Sequence, residues 1–216
     1  MDPLAAAIGF GVLLISLTIH EAAHAWTADK LGDPTARMLG RVSLNPLVHI
    51  DWIGTVLLPV ISAISGLPLI GWAKPVPVNM NNLREPRRDF MVIAAAGPIS
   101  NLLQACLAAA VVRVAFPSLM AADGPALSTG PFGTAMVSAL FFAVQINLLL
   151  AFFNLIPVPP LDGGNVLLGL LPPRLAASYD QLRNYGFLIL YALLFTGLAS
   201  AWIAPPTNFF MRILLS

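Results

Sequence analysis

Two histidines four residues apart, with a glutamate beside the first, carry the clearest chemistry in this chain: His20-Glu21-Ala22-Ala23-His24. On a helix, positions i and i+4 share a face. Both imidazoles can therefore reach one metal ion, and Glu21, one residue along, can act as general base to a water on that ion. A zinc site needs a further protein ligand. Asp162 is the candidate, set in Asn154-Leu155-Ile156-Pro157-Val158-Pro159-Pro160-Leu161-Asp162-Gly163-Gly164. Here prolines remove backbone donors and glycines allow a sharp turn. The alternative for Asp162 is an N-cap on a helix starting at Gly163, and the two roles are compatible. His49 is another possible ligand, but with Asp51 beside it a local hydrogen bond is the preferred reading. The amides of Asn154 and Asn101 can hydrogen-bond a substrate carbonyl or its developing oxyanion. For Asn101 the rival is a helix–helix hydrogen bond next to close packing at Gly97. Asn147 reads as packing.

The elements that must hold these groups are apolar. Of 216 residues, 58% are hydrophobic and 10% charged, with a mean hydropathy of +0.83. A soluble domain carries about 25% charged residues. The composition excludes a disordered chain, a coiled coil and a basic nucleic-acid module, so no nucleic-acid partner is expected. What remains is an all-α polytopic membrane protein in a lipid bilayer. At roughly 20 apolar residues per crossing, about 4–6 transmembrane helices fit, in one membrane-embedded domain covering 1–216. Ionisable groups inside a span are costly and usually functional, which sharpens the reading of His20, Glu21 and His24.

The first span runs from Leu4 to about Ala28, and Gly32-Asp33-Pro34 marks a turn after it. The apolar run Trp52 to Trp72 is broken by Gly54, Pro59, Gly66, Pro68 and Gly71. Lys74-Pro75-Val76-Pro77-Val78-Asn79 then reads as extended chain or an edge strand, giving a re-entrant, β-like segment near residues 52–79. Spans follow at about Asp89 to Phe116 and Thr134 to Asn154, and a short helix ends at Leu171. Pro117 to about Gly133, with Asp123, and Pro172 to Asn184 read as loops. A last span covers residues 185–204. Cys106 reads as a small buried hydrophobe. The four tryptophans stand near span ends, where indoles anchor at the interface.

If Trp52 to Trp72 enters and leaves by one face, Lys30, Arg37, Arg41, Lys74, Arg84, Arg87, Arg88, Arg174 and Arg183 share a side, nine of the eleven basic residues. Arg113 and Arg212 fall on the other. That bias predicts the nine-charge side to be cytoplasmic, in the cell (plasma) membrane.

Four segments, in order, resemble the site-2 protease family of intramembrane zinc metalloproteases. They are His20-Glu21-Ala22-Ala23-His24; Gly71-Trp72-Ala73-Lys74-Pro75-Val76-Pro77-Val78-Asn79; Gly97-Pro98-Ile99-Ser100-Asn101; and Asn154 through Gly164. The matched core spans residues 4–171, and the chain is similar to the compact form without a PDZ or CBS domain. The resemblance implies one Zn2+ per chain held by His20, His24 and Asp162. It implies Glu21 as the base, with Asn154 and, less directly, Asn101 as catalytic partners. It further implies hydrolysis of a peptide bond within or near a transmembrane segment of membrane-protein substrates, in regulated intramembrane proteolysis. The site is expected nearer the cytoplasmic face. The alternatives are an inactive protease-like membrane scaffold or a metal-transport protein. Haem does not fit, because two histidines four apart on one helix cannot ligate from opposite sides.

Overall fold

The computed structural model describes residues 3–65, 72–116 and 131–216. Gly66, Pro68, Gly71 and most of the loop expected from Pro117 to Gly133, Asp123 included, lie outside them. The described chain is helical, and no strand occurs among its residues. Three helices are long and apolar enough to cross a membrane: α1 (Pro3–Lys30), α4 (Pro86–Ala115) and α5 (Pro131–Asn154). Between them lie a short α2 (Thr35–Met38) and α3 (Leu58–Ser65), the latter entered through a wide π-type turn at Trp52–Leu57. After α5 come α6 (Asp162–Leu170), α7 (Pro173–Asp180), α8 (Gly186–Phe195) and α9 (Leu198–Leu215).

α1, α4 and α5 form the centre, with α6 laid against α4 and α9 against α5. The distribution of polarity is that of a membrane protein. Ser16, Thr18, His20, His24, Asn101 and Asn147 are buried, whereas Ile99, Leu103, Leu107 and Val114 on α4 are exposed. Small residues permit the close approach of α4 and α5: Ala105, Ala108 and Ala109 meet Val144 and Leu148.

The run from Trp52 returns to where it begins. The Trp72 N–H donates to the Gly54 carbonyl at 3.2 Å, and Thr55 Oγ1 donates to the Trp72 carbonyl at 2.8 Å. Its two ends are therefore neighbours, as a re-entrant segment requires. The following stretch, 72–79, pairs with no strand among the described residues, because Pro75 and Pro77 have no N–H to offer a ladder. It is tied down instead by buried Arg41, which donates to the carbonyls of Val48, Lys74 and Pro75. Asp33 holds its far end, accepting from the Asn79 N–H at 2.7 Å.

Three expectations change. Pro172 to Asn184 is not a loop: Pro173 stands at the first position of α7, where a missing N–H costs nothing. The span expected over 185–204 is broken. Gly197 takes a left-handed φ of +78°, and the helices on either side meet at a 71° bend. α9 then continues through Pro205 and Pro206. Counting that bent unit as one crossing gives four spans, the lower end of the expected range. Cys106 is exposed on the outer face of α4, since helix rotation, not local apolarity, decides which side meets lipid. All four tryptophans are exposed, with Trp52 at 79%.

Candidate metal centre

His20 and His24 lie on the face of α1 that meets α4, and α4 answers them one turn at a time. His24 Nδ1 donates to the Ile93 carbonyl at 2.6 Å. Four residues on, Gly97 leaves the space the rings occupy. A Cβ there would fall 2.4 Å from His24 Nε2 and 2.5 Å from His20 Cε1, so no side chain fits. Four residues further, Asn101 Oδ1 accepts from His20 Nδ1 at 2.6 Å.

A carbonyl oxygen only accepts, so each Nδ1 carries a hydrogen, and a neutral ring then presents its Nε2 lone pair. The two Nε2 atoms are 3.1 Å apart. Asp162 completes the group: its Oδ2 lies 3.2 Å from His20 Nε2 and 3.4 Å from His24 Nε2. That oxygen is buried and has no hydrogen-bond partner. With neutral rings, three acceptor atoms converge here, an arrangement that a bound cation stabilises. The spacings suit zinc, whose tetrahedral ligands at about 2.0–2.1 Å are about 3.3 Å from one another. These three residues form the one such group among the described residues.

Asp162 reaches this point through the break between α5 and α6. It is the first residue of α6, Leu161 takes the cap position, and no side chain caps the helix. The carboxylate is turned to the imidazoles instead of to the backbone. Gly163 and Gly164 let α6 start hard against the preceding loop. A Cβ on Gly163 would meet the Leu155 backbone at 2.4 Å, and one on Gly164 would meet Pro159 at 2.5 Å. From α7, the Tyr179 hydroxyl donates to the Pro157 carbonyl at 3.0 Å and holds that loop. At the other end of α6, Arg87 donates to the carbonyls of Leu168 and Leu171.

The remaining residues singled out in the sequence are placed as follows. Glu21 is partly exposed on α1 beside the buried pair. Asn154 closes α5, and its Nδ2 donates back to the Leu150 carbonyl at 3.0 Å. Asn101 is fully buried, engaged by His20 on one side and by Asn147 on the other. His49 stands outside the cluster. Its Nε2 lies 2.8 Å from the Ser43 carbonyl, and burial pushes its pKa below the usual imidazole value. Sequence reasoning missed Ser16 and the Ile93 carbonyl. The signal for Ser16 was its spacing, four before His20 and eight before His24.

The chain is similar to known proteins of one family. A model of peptidase family M50 matches residues 8–197. A Bacillus subtilis protein named "Putative zinc metalloprotease YwhC" is 38% identical over 196 residues, covering 91% of this chain and 84% of its own. "Putative zinc metalloprotease Rip2" of Mycolicibacterium smegmatis is 30% identical over 190 residues, covering 88% of this chain and 67% of its own. No solved structure matches the chain.

Proposed function

The chain belongs to peptidase family M50, the site-2 protease family, and is a zinc metalloprotease; from that premise we propose that it hydrolyses a peptide bond within or beside a membrane-spanning segment of a membrane-protein substrate. The observation that carries the reading is the convergence of His20 Nε2, His24 Nε2 and Asp162 Oδ2 at spacings that one metal ion can bridge. Those three residues would hold the metal. A bound Zn2+ supplies Lewis acidity and a water acidic enough to lose a proton near neutral pH.

The chain's own residues do the rest. Glu21, partly exposed while the ligands are buried, takes the proton from the attacking water at a carboxylate oxygen. It then returns that proton to the nitrogen of the departing amine. Asn154, at the open end of α5, holds the substrate backbone once its amide leaves the Leu150 carbonyl. Asn101 acts behind His20, where its amide is already committed.

A substrate helix hides its carbonyls in its own hydrogen bonds and must be unwound first. The stretch 72–79 suits that task. Its ends are anchored at Gly54 and at Asp33. The N–H groups of Val76 and Val78 make no backbone hydrogen bond among the described residues. An unwound strand can add there, with Pro75 and Pro77 limiting how many bonds form. The basic residues at the Lys30 end of α1 support a cytoplasmic position for that end. His24 and His20 lie about 9 and 15 Å from it along the helix.

The test uses the detergent-purified full chain with a single-span model substrate. Glu21→Gln is expected to keep one zinc per chain and to lose about 10²–10⁴ in cleavage rate. Wild-type cleavage by that variant would remove Glu21 as the base. Absence of zinc from the wild type, after zinc is added back, would overturn the reading.

A further inference from the structure

The metal-facing lone pair of His20 depends on which way one buried amide points. We infer that Asn147 is a positioning residue for the metal centre: with Ser16 it fixes the orientation of the Asn101 amide and, through it, the tautomer of His20. The inference rests on the metalloprotease reading above.

The chain of constraint starts at a backbone carbonyl. Asn147 Nδ2 lies 2.9 Å from the Ala143 carbonyl and 2.9 Å from Ser16 Oγ. The carbonyl can only accept, so the NH2 of Asn147 must face it and its Oδ1 must face away. That Oδ1 accepts from Asn101 Nδ2 at 2.8 Å. With its NH2 so placed, Asn101 turns its own Oδ1 to His20 Nδ1, 2.6 Å away. His20 then carries its hydrogen on Nδ1 and leaves Nε2 free.

Reversing any member reverses the result. An inverted Asn101 would set its NH2 against Nδ1 and drive the hydrogen to Nε2, where the ligand lone pair is needed. An inverted Asn147 would set oxygen against the Ala143 carbonyl. Burial removes the escape through solvent: Ser16 and Asn101 are 0% exposed and Asn147 is 2%. His24 needs no such device, because its acceptor is the Ile93 carbonyl itself, which cannot invert. The relay thus draws one residue from each of the three central helices, α1, α4 and α5, and exists only when all three are assembled.

An orienting role differs from a packing role in one testable respect. A carboxylate at position 101 has two acceptor oxygens and no orientation to set. Zinc dissociation constants are therefore measured by competition with a chromophoric chelator, on the detergent-purified full chain. The variants are Asn147→Leu, Asn101→Asp and the two combined. Asn147→Leu is expected to weaken zinc binding about tenfold. In the Asn101→Asp background, where Asn147 Oδ1 would face a carboxylate oxygen, the same change is expected not to weaken binding. Asn147→Ala replaces the leucine variant if that one does not fold. Equal losses in both backgrounds, or no loss from Asn147→Leu in the native background, would overturn the relay. A wild type that binds no zinc would overturn the metalloprotease reading instead, so the two failures are distinguishable.

Discussion

At the scale of single residues, the site is built as much from an absent side chain as from its ligands. Gly97 lies where any Cβ would enter the imidazole pair. Gly97→Ala is expected to lower zinc content well below one per chain while leaving the helical circular dichroism unchanged. Full occupancy in that variant would mean that α1 and α4 can separate at little cost. Asp162 gives a complementary test. It caps no helix and has an unpartnered buried oxygen facing both Nε2 atoms. Asp162→Ala is expected to lose zinc together with proteolysis, as removal of one of three protein ligands should. Retained zinc would show that another group completes the site. The His-Glu-x-x-His spacing made the histidines legible from sequence because the helix fixes i and i+4 on one face. The approach of Asp162 across more than a hundred residues is a tertiary fact.

At the scale of elements, α6 acts as a short rod that delivers Asp162. Its first residue is the candidate ligand, and its last carbonyls are held by Arg87 from the opening turn of α4. A guanidinium there also meets the negative end of the helix dipole. Arg87→Ala is expected to cost about 2 kcal/mol of stability, the range for hydrogen bonds to a charged donor. The melting temperature would report this, with weakened zinc binding as a second readout. An unchanged melting temperature together with unchanged zinc binding would mean that Gly163, Gly164 and the Tyr179 contact hold α6 by themselves. Arg113 does the same work at the opposite end of α4, donating to the carbonyls of Ile213, Leu214 and Ser216 near the end of α9. Element boundaries show where local pattern misled. A proline pair after Leu171 reads as a loop, yet Pro173 starts a helix. A continuous apolar run reads as one span, yet Gly197 bends it.

At the scale of the whole molecule, Asp33 joins the turn after α1 to the segment that leads into α4. Its oxygens accept from Thr35, from the Asn82 side chain and from the Asn79 N–H. Burial alone would push its pKa up. These hydrogen bonds outweigh burial and hold it below the usual carboxylate value. The native pKa is therefore below the unfolded one, about 3.9, and the unfolded chain takes up the proton first as pH falls. Asp33 contributes stability that is complete above the unfolded pKa and is lost as pH drops through the native one. Asp33→Asn is expected to lower the melting temperature at pH 7 and to flatten its decline through the carboxylate range. An equally steep decline in the variant would assign the acid sensitivity to other carboxylates.

The sequence by itself determined the membrane class, the main spans and the paired histidines. Each of these follows from local quantities: hydropathy over about 20 residues and the periodicity of a helix. A run from Trp52 to Trp72 that enters and leaves by one face was also the expectation, because the basic residues on both sides of it favour a single face; its contact through Gly54 and Trp72 came from the structure. Tertiary structure alone decided the rest. Which side of α4 meets lipid set the exposure of Cys106. The bend at Gly197 set the number of crossings. The junction of α1, α4 and α5 turned Asn147 from a packing residue into part of a hydrogen-bonded line to His20. Such lines join residues from 16 to 147 whose amides have no fixed direction until three helices close around them, so no pattern along the chain can specify them.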